Sequence, residues 1–145
     1  MTIKTGYEQF LPPRVPPGMW FDRDANLILP EGVRRASRGQ VAASWFLSVG
    51  LFAVTLGIGY LMWSAVTWGG GQTPGQRLLG LRCWQPESGR LADRKRMALR
   101  EAGGLLDGEL LIGPMLWLTS ASLNSLGDLF AGTVVLHDPN QLLHR

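Results

Sequence analysis

Three carboxylates sit where charge is costly to place. Asp107 and Glu109 open the second of two long apolar stretches, and Asp128 closes it. An ionised carboxylate in or beside hydrocarbon is expensive, so such groups are by default candidates for a proton relay or a cation site. A second reading puts all three at the membrane interface, paired with Arg100, Arg77 or Arg38 and fixing helix ends. The interfacial reading is the better supported, because none of the three lies at the centre of an apolar block. Within it, Asp128 with Arg38 is the expected contact.

Other chemistry finds few residues to work with. Cys83 is the single cysteine, which excludes an intrachain disulfide. His137 and His144 are the two histidines, and no Cys/His ligand spacing surrounds them, so no zinc or haem site is expected. His137 beside Asp138 reads as a solvated pair at the end of a strand or turn. Gly71-Gln-Thr-Pro-Gly75-Gln-Arg77 lacks the Lys and Ser/Thr of a phosphate loop. Two distal histidines support neither a Ser/His/Asp nor a Cys/His arrangement. The expectation is a chain that is not an enzyme, with no catalytic residues, cofactor or metal.

Basic residues are in modest excess and are clustered. The 14 Lys and Arg exceed the 11 Asp and Glu, for a net charge of +3. Arg34, Arg35 and Arg38 precede the first apolar block; Arg77, Arg82, Arg90, Arg94, Lys95, Arg96 and Arg100 follow it. Such clusters mark the cytoplasmic side and attract anionic headgroups. An amphipathic helix is expected over residues 92–101, with Asp93 near its start. Met97, Ala98 and Leu99 would touch lipid or protein; Arg94, Lys95, Arg96 and Arg100 would face lipid phosphates or the interface. An ordinary solvated basic helix is the alternative. No recognition fold or stacking pattern supports a nucleic-acid partner.

The elements that must position these residues follow from hydropathy. Residues 39–76 contain no charged side chain, and 41–68 are almost wholly apolar or small. As one helix the latter would measure about 42 Å, beyond the roughly 30 Å hydrocarbon core. It could tilt, or break at Thr55-Leu-Gly57-Ile-Gly59, where two glycines permit a turn. Basic flanks on both sides favour the break, since both ends would then face one compartment. Trp63, Trp68 and Tyr60 suit interfacial anchors. Thr73-Pro74 reads as a helix cap followed by Pro at the first position. Leu81-Arg-Cys-Trp84, then a turn through Gly89, resembles a short strand. The second block, 110–127, is rich in Ser and Thr and holds Gly113-Pro114, which suits helix-to-helix contact with a kink or re-entrant break. Residues 128–138 read as a strand-like finish. The proline-rich start, with Pro12-Pro13-Arg14-Val15-Pro16-Pro17, must run extended, yet its aromatic and aliphatic residues imply docking on its own membrane domain or a neighbouring subunit.

Three motifs in fixed order carry a family resemblance: Gly71-Gln-Thr-Pro-Gly75-Gln-Arg77-Leu-Leu-Gly-Leu-Arg82, then Met97-Ala-Leu-Arg100-Glu, then Asp128-Leu-Phe-Ala-Gly-Thr-Val-Val135. Together they resemble the RDD family of small bacterial membrane proteins, over about residues 34–140. The family's signature is an arginine and two aspartates; Arg38 and Asp128 match the arginine and the second aspartate. Trp45 and Phe46 stand where the first aspartate would fall, and Asn124-Ser-Leu-Gly127 replaces the usual basic cluster and His. The transport roles proposed for the family lean on those missing charges.

The fold expected is an all-α membrane protein, its two apolar blocks giving two to four membrane-inserted helices, with short strand-like pieces. The expected division is a proline-rich extended tail (1–33), an RDD-like membrane domain (34–138) and a short C-terminal tail (139–145). Two functions fit: a small accessory or structural subunit of a larger membrane assembly in the bacterial cytoplasmic membrane, or a small cation or proton transporter. The accessory role is favoured, with membrane lipids and other membrane subunits as partners. Docking would run through the tail and the second block.

Overall fold

A computed structural model describes residues 14–23, 26–109 and 125–144, with backbone alone at 105–109 and 144. The chain divides into two compact units, Met1–Glu31 and Gly32–Arg145. In the first, β1 (Met19–Asp22) and β2 (Leu27–Pro30) pair antiparallel with Met19 opposite Pro30 and Asp22 opposite Leu27. Asn26 takes a positive φ of 52° in the turn, a conformation that asparagine tolerates better than most residues.

The second unit is built on a four-stranded sheet of order β3-β6-β4-β5: β3 (Arg34–Arg35), β4 (Leu81–Gln85), β5 (Arg90–Leu91) and β6 (Val134–His137). All its pairings are antiparallel; Leu81 lies opposite His137, and Trp84 opposite both Val134 and Leu91. Leu81 and Cys83 of β4 point into a core shared with Ala36, Val41, Ala92, Met97 and Val135. The strand expected at 81–84 is therefore present, with its turn closing at Gly89.

Helices follow their caps. α1 (Arg38–Val54) starts at Ser37, whose hydroxyl accepts from Gln40 N while the Gln40 side chain accepts from Ser37 N. α2 (Ile58–Thr67) runs into a 3-10 turn at Trp68–Gly70. α3 (Pro74–Leu78) has Thr73 as cap and Pro74 at its start, as the sequence predicts. α4 (Arg94–Glu109) begins where Asp93 accepts from Arg96 N, so the helix expected over 92–101 is present and longer. α5 (Leu126–Ala131) is capped by Ser125 and stopped by Gly132 at φ 60°.

Two corrections to the expected fold follow. The fold is mixed α/β and not all-α: the described residues form two sheets beside the helices. Its larger sheet joins residues 81–84 to 134–137, a pairing of distant segments that local hydropathy does not encode. The break favoured at Thr55–Gly59 is present: α1 stops at Val54, and Leu56 and Gly57 take positive φ values of 50° and 78° before α2 begins. Among the described residues no helix is long and apolar enough to cross a membrane. Of the second block, residues 110–124 with Pro114 lie outside the described residues, and 125–127 form the cap and start of α5.

The broken block keeps its greasy surface. Val54, Leu56 and Ile58, at and around the turn, are 84, 87 and 70% exposed, and Phe46, Phe52, Leu61, Met62 and Val66 extend this apolar face along both helices. Phe52 packs edge-on against Tyr60 across the turn, and the Tyr60 amide donates to Thr55 Oγ1.

Candidate functional site

Two buried guanidinium–carboxylate centres flank the sheet. The first forms where α4 crosses α5. A Cβ at Gly127 would collide with the Arg100 carbonyl, and one at Gly103 would lie 2.8 Å from Gly127 Cα. Only paired glycines let the two backbones come this close, and that approach sets Asp128 against Arg100. Asp128 is 1% exposed. Its Oδ1 accepts from Arg100 Nε at 2.6 Å and Thr133 Oγ1 at 3.0 Å; its Oδ2 accepts from Ser125 Oγ at 3.0 Å and Ser125 N at 3.3 Å. The carboxylate is thus fully engaged. Burial is the largest influence on the Arg100 charge and opposes it, but the charge and hydrogen bond of Asp128 together with Cys83 and Glu101 hold the guanidinium's pKa above its ordinary value.

Beside this pair, Glu101 accepts from the Tyr60 hydroxyl at 3.3 Å, tying α4 to α2. Burial pushes the Glu101 carboxyl up, with Arg100 opposing. Cys83 is fully buried and its thiol is pushed up to about 11, chiefly by burial. Such a thiol is a poor nucleophile near neutral pH.

The second centre lies between β4 and the chain after β6. Arg82 is 2% exposed; its Nη1 donates to Gly70 O at 3.1 Å, and its Nε stands 3.4 Å from Asp138 Oδ2 without forming a hydrogen bond. Asp138 accepts instead from the Leu142 and Leu143 amides at 2.8 and 3.0 Å. Burial lowers the Arg82 pKa; Asp138 opposes this, and the positive charge of Arg77 adds to it. A cavity of about 620 Å³ opens here, lined among others by Thr67, Gly70, Gln72, Arg77, Arg82 and Asp138.

The residues singled out from sequence are dispersed. Arg38 is exposed at the first position of α1, and the guanidinium on Asp128 is Arg100, not the expected Arg38. Asp107 and Glu109 fall in the last turns of α4, and their side chains lie outside the described residues. Arg94 and Lys95 are exposed on its first turn. Arg96 donates to Ala131 O at 2.7 Å, so it and Arg100 tie α4 to α5. Met97 is in the core, whereas Ala98 and Leu99 are exposed. Sequence reasoning missed Arg82 with Asp138. Its signal was an arginine flanked by Leu81 and Cys83 in a strand-like run, where every neighbour is apolar.

No curated protein and no solved structure matches the chain. The RDD family matches residues 28–132, a stretch that contains α1 to α5, the sheet's first three strands and both Arg100 and Asp128. The chain belongs to the RDD family, a family of membrane proteins.

Proposed function

We propose that this protein is a non-catalytic accessory or structural subunit of an assembly in the bacterial cytoplasmic membrane, seated in lipid through α1, its turn and α2. The observation that carries the reading is the uncharged, exposed apolar surface spread over those two helices and densest at the turn. Contiguous apolar faces of that kind mark membrane or protein contacts. Basic residues flank both ends of the pair, as expected for ends that share the cytoplasmic side. Membrane lipids and other membrane subunits are its partners, and nucleic acid is not.

Asp128 counts against the transporter alternative. A carboxylate that carries ions must exchange its partners, and this one is held by a guanidinium, two hydroxyls and an amide. Mild-detergent purification from the native membrane should bring stoichiometric partner proteins with the chain. Liposomes holding the purified chain alone should show no ion flux above that of empty liposomes; flux carried by the chain alone would overturn the accessory reading.

A further inference from the structure

Among the described residues, the lining of the cavity beside Arg82 carries more positive than negative charge. Two guanidinium groups line it, from Arg77 and Arg82, against the single carboxylate of Asp138. That carboxylate is already committed to two backbone amides, and it leaves Arg82 Nε without a hydrogen bond although the side chain is 2% exposed. A buried donor that makes no hydrogen bond is uncommon in a folded protein and calls for a specific explanation. The Arg77 side chain is exposed and makes no hydrogen bond or ion pair among the described residues. Both guanidinium side chains line the cavity, and the Arg77 charge opposes that of Arg82.

We propose that this cavity is a phosphate-binding site in which Arg77 and Arg82 receive the phosphate group of an anionic lipid headgroup or of a free phosphate compound. Guanidinium forks match phosphate oxygens in geometry as well as charge, and two of them approaching one cavity suit an anion with several equivalent oxygens. About 620 Å³ lies within the usual range for small-molecule sites and accommodates a headgroup with its substituent. Val66 and Thr67 place the cavity at the end of α2 remote from the apolar turn. Headgroups would lie at that level if the helix pair is in lipid. The lipid source therefore rests on the membrane reading, whereas a free phosphate source does not.

Binding is tested on the full chain in neutral detergent micelles at fixed ionic strength, by calorimetric titration. The probes are inorganic phosphate and a short-chain phosphatidylglycerol, with short-chain phosphatidylcholine as the zwitterionic reference. At least one anionic probe should saturate and bind at least tenfold more weakly to Arg77→Gln, a change at an exposed side chain that leaves the fold intact. Arg82→Lys, which keeps the charge but loses the fork, should weaken it too. Saturation by both anionic probes identifies a site open to free phosphate; saturation by phosphatidylglycerol alone identifies the lipid headgroup. Arg90→Gln, an exposed cation outside the cavity, should bind as the parent does. The proposal is overturned if neither probe saturates, if Arg77→Gln binds as tightly as the parent, or if Arg90→Gln weakens binding equally.

Discussion

Asp128 is the residue on which the α4–α5 contact turns. It neutralises Arg100 and caps α5, and its backbone carbonyl accepts from Thr133 N. Asp128→Asn keeps the shape and much of the capping but leaves the Arg100 guanidinium largely buried without its counter-charge. Breaking one side of a buried pair costs roughly 3–5 kcal/mol, and denaturant unfolding in micelles should show a loss of that order. Adding Arg100→Gln should recover part of the loss, because the two changes act on one interaction. A loss below about 1 kcal/mol, the scale of exposed pairs, would contradict the buried centre. Glu101 makes a prediction of opposite sign. Its folded pKa is raised, so the folded chain keeps this proton to higher pH than the unfolded chain does. The stability it contributes is complete below the unfolded carboxyl pKa, about 4.3, and is lost as pH rises through the folded value. Glu101→Gln should therefore be more stable than the parent at pH 7 and equal to it near pH 4. An unchanged pH profile would remove the burial argument.

At the scale of elements, close backbone approach matters more than hydropathy. Gly127→Ala drives a methyl group into the Arg100 carbonyl, and overpacking of this kind costs about 1–3 kcal/mol, readable as a lower denaturation midpoint. Gly104→Ala, where a Cβ meets nothing within 4 Å, is the matched control and should stabilise α4 slightly. Local signals in the sequence were read correctly where the cause is local. The Thr73-Pro74 cap, the Asp93 start of α4, the strand at Leu81 and the break beside Gly57 each rest on residues within one turn of the feature they specify. What was missed depends on contacts across the chain. Arg100 with Asp128, Arg82 with Asp138 and β4 with β6 join segments 28 to 56 residues apart. Arg38 matched the signature arginine by motif, yet motif position says nothing about which guanidinium the fold brings to Asp128.

At the scale of the molecule, a small mixed α/β body carries an apolar helix pair whose turn is its most exposed hydrophobic feature. Leu56 holds a positive φ of 50° there, a conformation that costs a bulky residue on the order of 1–3 kcal/mol. Strain at a site that displays a leucine to the outside makes sense if lipid receives the side chain. Arg77, on α3, lines the cavity at the end of α2 remote from that turn. The most direct measurement of this account is a spin label at position 56, introduced as Leu56→Cys in a Cys83→Ala background and reconstituted into vesicles. Its collision rates with oxygen and with a water-soluble nickel chelate report depth. A label reached by oxygen and shielded from nickel, with a label at exposed Arg90→Cys showing the reverse, is the result predicted. A label at 56 as open to nickel as the one at 90 would contradict it.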